Sequence, residues 1–453
     1  MSKRFILYLL PILLIFSTIP SFAEDDDTLQ IKGYFKTYTL TTDVGGFLTK
    51  STSDTYTPAE KNSVDLTGAI LNLVNLDLKW LLSDKFSFET SYIITMPIQT
   101  SSGLPIYPSQ GAINAPYMGP MIITPSLKPL ERTTQTRDYR IADLDNSQVN
   151  NLDRAVATIS TGFADISIGR QPIAFGVAHV INPVDVISPL LRTSLTVVER
   201  PGVDAVRVRI PTGNMSEVEL GFVGGHDLTW SNDAAFLRSR FYFYDTDVIL
   251  TLMDFKENAL LGFELARSIF DAGFWLETAY TLSGALSNTS TSYNNYLRLS
   301  TGVDYKLTGK IYAFTEYHYN SAGMDDSSNY ARFIDTGSAY KSYNVTAYEL
   351  GSVYLLGQHY LIPGVTIELT PLINTSTICF INLIDLSLLI APTLNYSVAT
   401  NVTLAAGAFI PAGQRSPIQI LASNNKINGL SMVTKSEFKL YPEMYFISLM
   451  VYF

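Results

Sequence analysis

The chain ends Tyr445-Phe446-Ile447-Ser448-Leu449-Met450-Val451-Tyr452-Phe453. Tyr445, Ile447, Leu449, Val451 and Phe453 take every second position, and the last residue is aromatic. A period of two marks a β-strand with one apolar face. The same period runs back through the chain. Leu297, Leu299, Thr301, Val303 and Tyr305 alternate with Arg298, Ser300, Gly302, Asp304 and Lys306. Val74, Leu76, Leu78 and Trp80 alternate with Asn75, Asp77 and Lys79. Soluble sandwiches also alternate, but their strands run about 5–6 residues. These runs reach roughly 9–14, the length of a tilted membrane strand.

Composition narrows the choice. Of 453 residues, 16% are charged, against about 25% in a soluble protein. Tyr and Phe number 27 and 24, so disorder is excluded. Beyond the N-terminus no run is long and apolar enough for a membrane helix, which needs about 20 residues. The best stretch, Ile378 to Leu394, is broken by Asn382, Asp385 and Pro392. The class that is apolar yet free of such runs is the membrane β-barrel. A net charge of −10 disfavours nucleic acid as a partner. The lone Cys379 excludes an intramolecular disulfide and a lipoprotein anchor.

The N-terminus reads as a secretory leader. Lys3 and Arg4 precede the apolar stretch Phe5 to Phe16, and Ser21-Phe22-Ala23 fits the cleavage rule. The expected organisation is a signal peptide over 1–23 and one barrel over 24–453. Eighteen strands are expected: 29–42, 68–81, 86–96, 152–161, 164–171, 203–210, 215–224, 238–244, 247–254, 259–269, 272–283, 294–307, 310–320, 358–369, 374–383, 386–397, 401–410 and 436–453. Sixteen is the alternative count. An even number puts both termini at one end. Short turns, as at 82–85 and 270–271, alternate with long connections near 43–67, 97–150, 172–201, 225–237, 322–356 and 411–433. Barrels of the outer membrane have short periplasmic turns and long external loops. Aromatic girdles are expected, with Tyr396, Tyr445, Tyr305 and Trp80 near the periplasmic ends.

The C-terminal motif, closing on Phe453, resembles that of Gram-negative outer-membrane porins. Ile31-Lys32-Gly33-Tyr34-Phe35-Lys36 looks like the opening strand of many porin-like barrels. Gly169-Arg170-Gln171 and Asn182-Pro183-Val184-Asp185 resemble segments of porin-like families related to phosphate-selective and alginate-export barrels. No substrate is carried over. The resemblance implies that Tyr445, Ile447, Leu449, Val451 and Phe453 are read by the barrel-assembly machinery. It implies an outer-membrane setting among lipid and lipopolysaccharide. It also implies that the third external loop, 172–201, folds into the barrel as a constriction. A homotrimer is common in that family, but no flat apolar face in this chain requires one.

Enzyme signals are scarce. His179, His226, His318 and His359 make no metal-ligand spacing, and no nucleophile elbow, phosphate loop or CxxC is present. No catalytic residue, metal or cofactor is assigned. The polar strand faces say more. Arg207 and Arg209, then Glu217 and Glu219, then Arg238 and Arg240 each share one face of a strand. Arg on the lipid face at midplane costs roughly 2–4 kcal/mol, so these residues are expected to point inward. Lys32, Lys36, Asp77, Lys79, Glu89, Glu264, Glu277, Arg298 and Asp304 join them. Charges of both signs around a pore filter solutes. The alternative is a lumen closed by ion pairs. In loop 172–201 the eyelet candidates are Asp185, Arg192, Glu199 and Arg200, flanked by Arg170 and Asp204, with His179 a lesser one. Their alternative role is to staple the loop to the wall.

The expected function is a porin: passive diffusion of small polar or charged solutes, with a slight anion preference. An export or assembly barrel working with periplasmic partners is a second reading. A barrel hydrolase using His318 is a third.

Overall fold

Alternation at this length builds strands long enough to cross a bilayer. The computed structural model describes residues 28–43, 66–99, 139–141, 150–188, 200–287, 294–333, 353, 355–414, 418–423, 426–432, 435–441 and 443–453. The expected leader, Arg192 and Glu199 lie outside them. The strands are β1 Leu29–Asp43, β2 Leu66–Ser83, β3 Phe86–Gln99, β4 Asn150–Ser160, β5 Asp165–Gln171, β6 Val203–Gly213, β7 Ser216–Val223, β8 Ala234–Phe243, β9 Thr246–Phe255 and β10 Asn258–Ile269. They continue with β11 Ala272–Leu282, β12 Tyr296–Thr308, β13 Ile311–Asn320, β14 His359–Thr370, β15 Ile373–Asn382, β16 Leu388–Ala399, β17 Val402–Ala412, β18 Ile418–Ser423, β19 Lys426–Met432 and β20 Glu443–Tyr452.

Eighteen of these form one antiparallel sheet in chain order. β1 pairs with both β2 and β20, so the sheet closes into a barrel. The eighteen expected strands are therefore present, with ends shifted by a few residues. At one end every connection is two residues long, except 161–164. The other end carries the long loops, although β9 and β10 meet there through only Lys256-Glu257. Both of those residues have positive φ, 48° and 65°, the geometry of a tight primed turn that matches strand twist.

Three expectations need correction. Residues 411–433 are not all loop, because β18 and β19 pair as a separate hairpin. The last strand begins at Glu443, not 436. Before it, Phe438–Leu440 form a 3-10 turn whose Phe438 is buried in an apolar cluster. Glu437 there accepts hydrogen bonds from the Leu356 N–H and the Asn382 amide, and its neighbours would not meet those partners from a regular strand. A third correction concerns Tyr445. It lies at the loop end of β20, opposite Thr41, not at the turn end. β20 runs toward the turn end, so its first residues are its outermost.

The seam shows why the terminal aromatic fits. Phe453 exchanges two backbone hydrogen bonds with Gly33, at 2.9 and 3.0 Å. A Cβ on Gly33 would lie 2.7 Å from the Phe453 ring and 2.5 Å from the Asn75 carbonyl. Only glycine leaves room for the ring.

Ile168, Val206, Leu220, Leu237, Leu252 and Leu261 stand exposed on one face of the wall. The opposite register holds Arg207, Glu219, Arg238 and Glu264, covered by residues from the 172–188 connection. The exposed belt is therefore the outside and the charged face the lumen.

Candidate functional site

The connection after β5 turns back inside the barrel. Residues 173–187 are mostly apolar, and Ile173, Phe175, Val180, Ile181, Val184, Val186 and Ile187 are buried. Ile173, Phe175, Val184, Val186 and Ile187 join Val203, Phe236, Met253 and Phe255 on the β6–β9 wall. Val180 and Ile181 join a second cluster with Tyr296, Tyr360, Phe380 and Phe438. Burial of these side chains draws the segment inward.

An apolar segment still carries backbone N–H and C=O groups that need partners once buried. The wall supplies them. Glu277 on β11 accepts the N–H groups of Val177, Ala178 and Val184 at 2.9, 3.1 and 2.8 Å. Glu316 on β13 accepts those of His179, Val180 and Ile181 at 2.9, 3.0 and 2.8 Å. Both glutamates are fully buried. The carbonyl side is served from β12: Arg298 donates to Pro183, and the Ser300 hydroxyl donates to Ile181 at 2.6 Å. Six amides thus meet two carboxyl groups near mid-strand height. Gly176 has a φ of +98°, and a Cβ there would lie 2.2 Å from Asn182 Oδ1.

The expected site residues separate into three groups. Arg200 pairs with Asp185 and also donates to the Ser188 carbonyl, closing the segment on itself. Arg207 pairs with Glu219, Arg238 with Glu264 at 2.9 Å, and Arg240 with Asp247 at 2.8 Å, all on the lumen register. Arg209 and Glu217 share that register, facing Glu219 and Arg240 on the next strands. Arg170 and Asp204 form a forked pair, at 2.7 and 3.0 Å. They stand on the register of the exposed Ile168 and Val206, so they are not part of the lumen face. Their neighbour there is Ile141, whose N–H donates to Asp204. Along a strand one residue separates inside from outside, and the expectation for this pair fails on that parity.

His179 marks the part of the segment nearest the turn end. Its ring stacks on Trp275 with centroids 3.8 Å apart, and its Nε2 lies 3.5 Å from Asp304. Glu316, which shares an inward strand face with His318, proves to be a main anchor. The sequence signal that could have exposed this role is a mid-strand inward glutamate facing a segment with few polar side chains.

His318 is the expected reactive residue of a hydrolase. Its Nδ1 lies 2.9 Å from Ser300 Oγ. That hydroxyl already donates its one proton to the Ile181 carbonyl, so Nδ1 must donate to it. A general base has to accept the serine proton instead. Both residues are also buried beneath the segment. Among the described residues no group of three or more His, Cys, Asp or Glu side chains is placed to share a metal ion.

On the opposite wall, β1 to β3, Lys36, Asp77, Lys79 and Glu89 occupy the lumen register. Lys79 and Glu89 pair at 3.0 Å. The Lys36 ammonium sits 4.4 Å from the centre of the Tyr38 ring. The lumen is thus filled on one side by the segment, over a wall of paired charges, while the other side carries Lys36, Asp77, Lys79 and Glu89 beside the apolar cluster of Tyr34, Leu73 and Met450.

No family model and no curated protein matches the sequence. Solved structures do. OccAB2 of Acinetobacter baumannii aligns with 94% of this chain and 98% of its own, at 8% identity and a TM-score of 0.52. OccK2 (OpdF) of Pseudomonas aeruginosa, solved in complex with glucuronate, aligns over 94% and 98%, at 9% identity and a TM-score of 0.50. The chain has the fold of an outer-membrane porin. At such low identity the likeness extends to the fold alone, and the lumen has to be read from its own residues.

Proposed function

We propose that the chain is an outer-membrane channel through which small polar or charged solutes diffuse passively. The observation that supports this reading is the asymmetry of the lumen. A chain segment is held at mid-height against one side by Glu277 and Glu316. Across from it stands a wall with Lys36, Asp77, Lys79 and Glu89. A structural plug has no use for a charged opposite wall, whereas a wet path does. Residues 172–201 are then the constriction. The leader at 1–23 exports the chain, the assembly machinery reads its last strand, and lipid and lipopolysaccharide surround the belt.

Most lumen arginines are matched by a carboxylate and give little net field. Lys36 has no carboxylate within ion-pair distance among the described residues. It tilts the path toward a slight anion preference, which a reversal potential under a salt gradient measures. Strong cation preference would overturn that part. The channel itself is tested by single-channel recording of the refolded protein in a planar bilayer. Stepwise currents that grow linearly with salt are expected. A folded barrel that never conducts, and co-purifies with a periplasmic partner, would favour the export reading instead.

A further inference from the structure

The turn end of the barrel is not uniform. Phe163, Met215, Tyr244 and Phe270 occupy the turns that join β4 to β5, β6 to β7, β8 to β9 and β10 to β11. They are 70%, 70%, 87% and 98% exposed. Met215, Tyr244 and Phe270 also hold positive φ, 59°, 49° and 54°, where glycine or asparagine would sit with less strain. Large apolar side chains at four successive tips therefore combine unfavourable exposure to water with, in three cases, an unfavourable backbone. Three of the other four turns carry polar tips: Asp84-Lys85, Gly309-Lys310 and Thr400-Asn401.

Strand length adds to this. On this arc β5 has 7 residues and β7 has 8, below the about 9–11 of a tilted membrane strand, and the other six strands have 10–12. β1 and β2 have 15 and 18. The wall is therefore shorter here than on the β1–β2 side, and its apolar turns lie closer to the hydrocarbon. The outer face reaches the rim through Phe241, Phe243 and Ile269, all exposed, with Ser239 and Arg267 between them on the same register; a long arginine so near the rim can reach the boundary with its charged end. Each tip in a two-residue turn has one polar neighbour, Asn214, Asp245 or Asp271, which suits a boundary between lipid and water.

We infer that the β4–β11 arc of the turn end is seated in lipid, with Phe163, Met215, Tyr244 and Phe270 as its anchors. The opposite arc, with Lys85 and Lys310, stands in water, and the barrel axis is tilted toward the short side. This inference rests on the membrane reading above and extends it to a lipid surface of defined position.

The test uses nitroxide labels in full-length protein carrying Cys379→Ser, reconstituted into phosphatidylcholine vesicles. Labels are placed at Met215→Cys, Phe270→Cys, Lys310→Cys and, on the belt, Leu252→Cys. Collision with oxygen and with a water-soluble nickel chelate is measured for each. Labels at 215, 270 and 252 are expected to favour oxygen by several-fold over the label at 310. Tips that meet the nickel chelate as freely as position 310 would overturn the inference, whether water or a periplasmic protein covers them. A belt label at 252 that favours nickel would overturn the membrane reading itself. As an independent check, Phe270→Asn relieves the turn. It is expected to leave heat stability in detergent unchanged or raised, and to weaken retention in vesicles against alkaline extraction. Unchanged retention of a Met215→Asn, Tyr244→Asn, Phe270→Asn variant would count against the anchors.

Discussion

Removing the Glu316 carboxylate leaves the N–H groups of His179, Val180 and Ile181 facing a void. Each buried donor without an acceptor costs about 1–3 kcal/mol. Glu316→Ala is therefore expected to loosen the segment by about 3 kcal/mol or more, while the wall ladders persist. Faster hydrogen exchange at residues 179–181, with unchanged exchange in the β1–β3 ladder, checks this. Glu316→Gln keeps one acceptor oxygen and is expected to fall between. A second single-residue effect concerns pH. Glu437 lies outside the strands and is buried, and burial pushes its carboxyl up from 4.5 to about 7. Donors from Tyr360 and Leu356 oppose that rise, and Asp385 adds to it. An acid that binds its proton more tightly when folded stabilises the fold below its unfolded value. That stability is lost as pH rises through about 7. The contact between 435–441 and Leu356 is expected to weaken between pH 5 and 8. Exchange at Leu356, corrected for the intrinsic rate, is expected to rise over that range in the wild type and stay flat in Glu437→Gln. These roles were hidden from the sequence for a physical reason. Backbone N–H groups leave no mark in a sequence, so charged side chains such as Asp185 and Arg200 stand out there, as eyelet candidates or as staples to the wall. Asp185 and Arg200 instead hold the segment to itself.

Among the elements, the strands were legible because the lipid–lumen boundary writes a period of two into them. β12, with Leu297 to Tyr305 out and Arg298 to Lys306 in, is a clear case. The β18–β19 hairpin was not, since Gln419, Ser423, Asn424, Asn425 and Asn428 break any apolar face. The 3-10 turn at Phe438–Leu440 depends on contacts with Leu356 and Asn382, about 55 to 81 residues away in sequence, which local pattern does not contain. The seam between β1 and β20 makes its own prediction. Gly33→Ala places a methyl against both the Phe453 ring and the Asn75 carbonyl. Overpacking of this kind costs about 1–3 kcal/mol. The variant is expected to lose its heat-modifiable, folded mobility at a lower temperature than wild type. Equal melting would show that the terminal ring is not held against Gly33.

At the scale of the whole molecule, one arc of the barrel does two jobs. The β5–β13 wall carries the glutamates that hold the segment, and four successive turns at its turn end, from β4 to β11, carry exposed apolar residues. The facing β1–β3 wall is longer and charged within. Its charges, like those of β6–β8, were legible from the cost of placing Lys, Arg and Glu against lipid. The exception, Arg170 with Asp204, lies near the loop end, where residues from another loop cover the outer face and the alternation rule loses its force. The central claim is that solutes pass between the held segment and the charged wall, beside His179. His179→Cys in a Cys379→Ser background places a thiol at that point. Adding a bulky, charged thiol reagent during single-channel recording is predicted to reduce the current in discrete, irreversible steps. Complete labelling that leaves the current unchanged would contradict the account, because the segment would then lie outside the path.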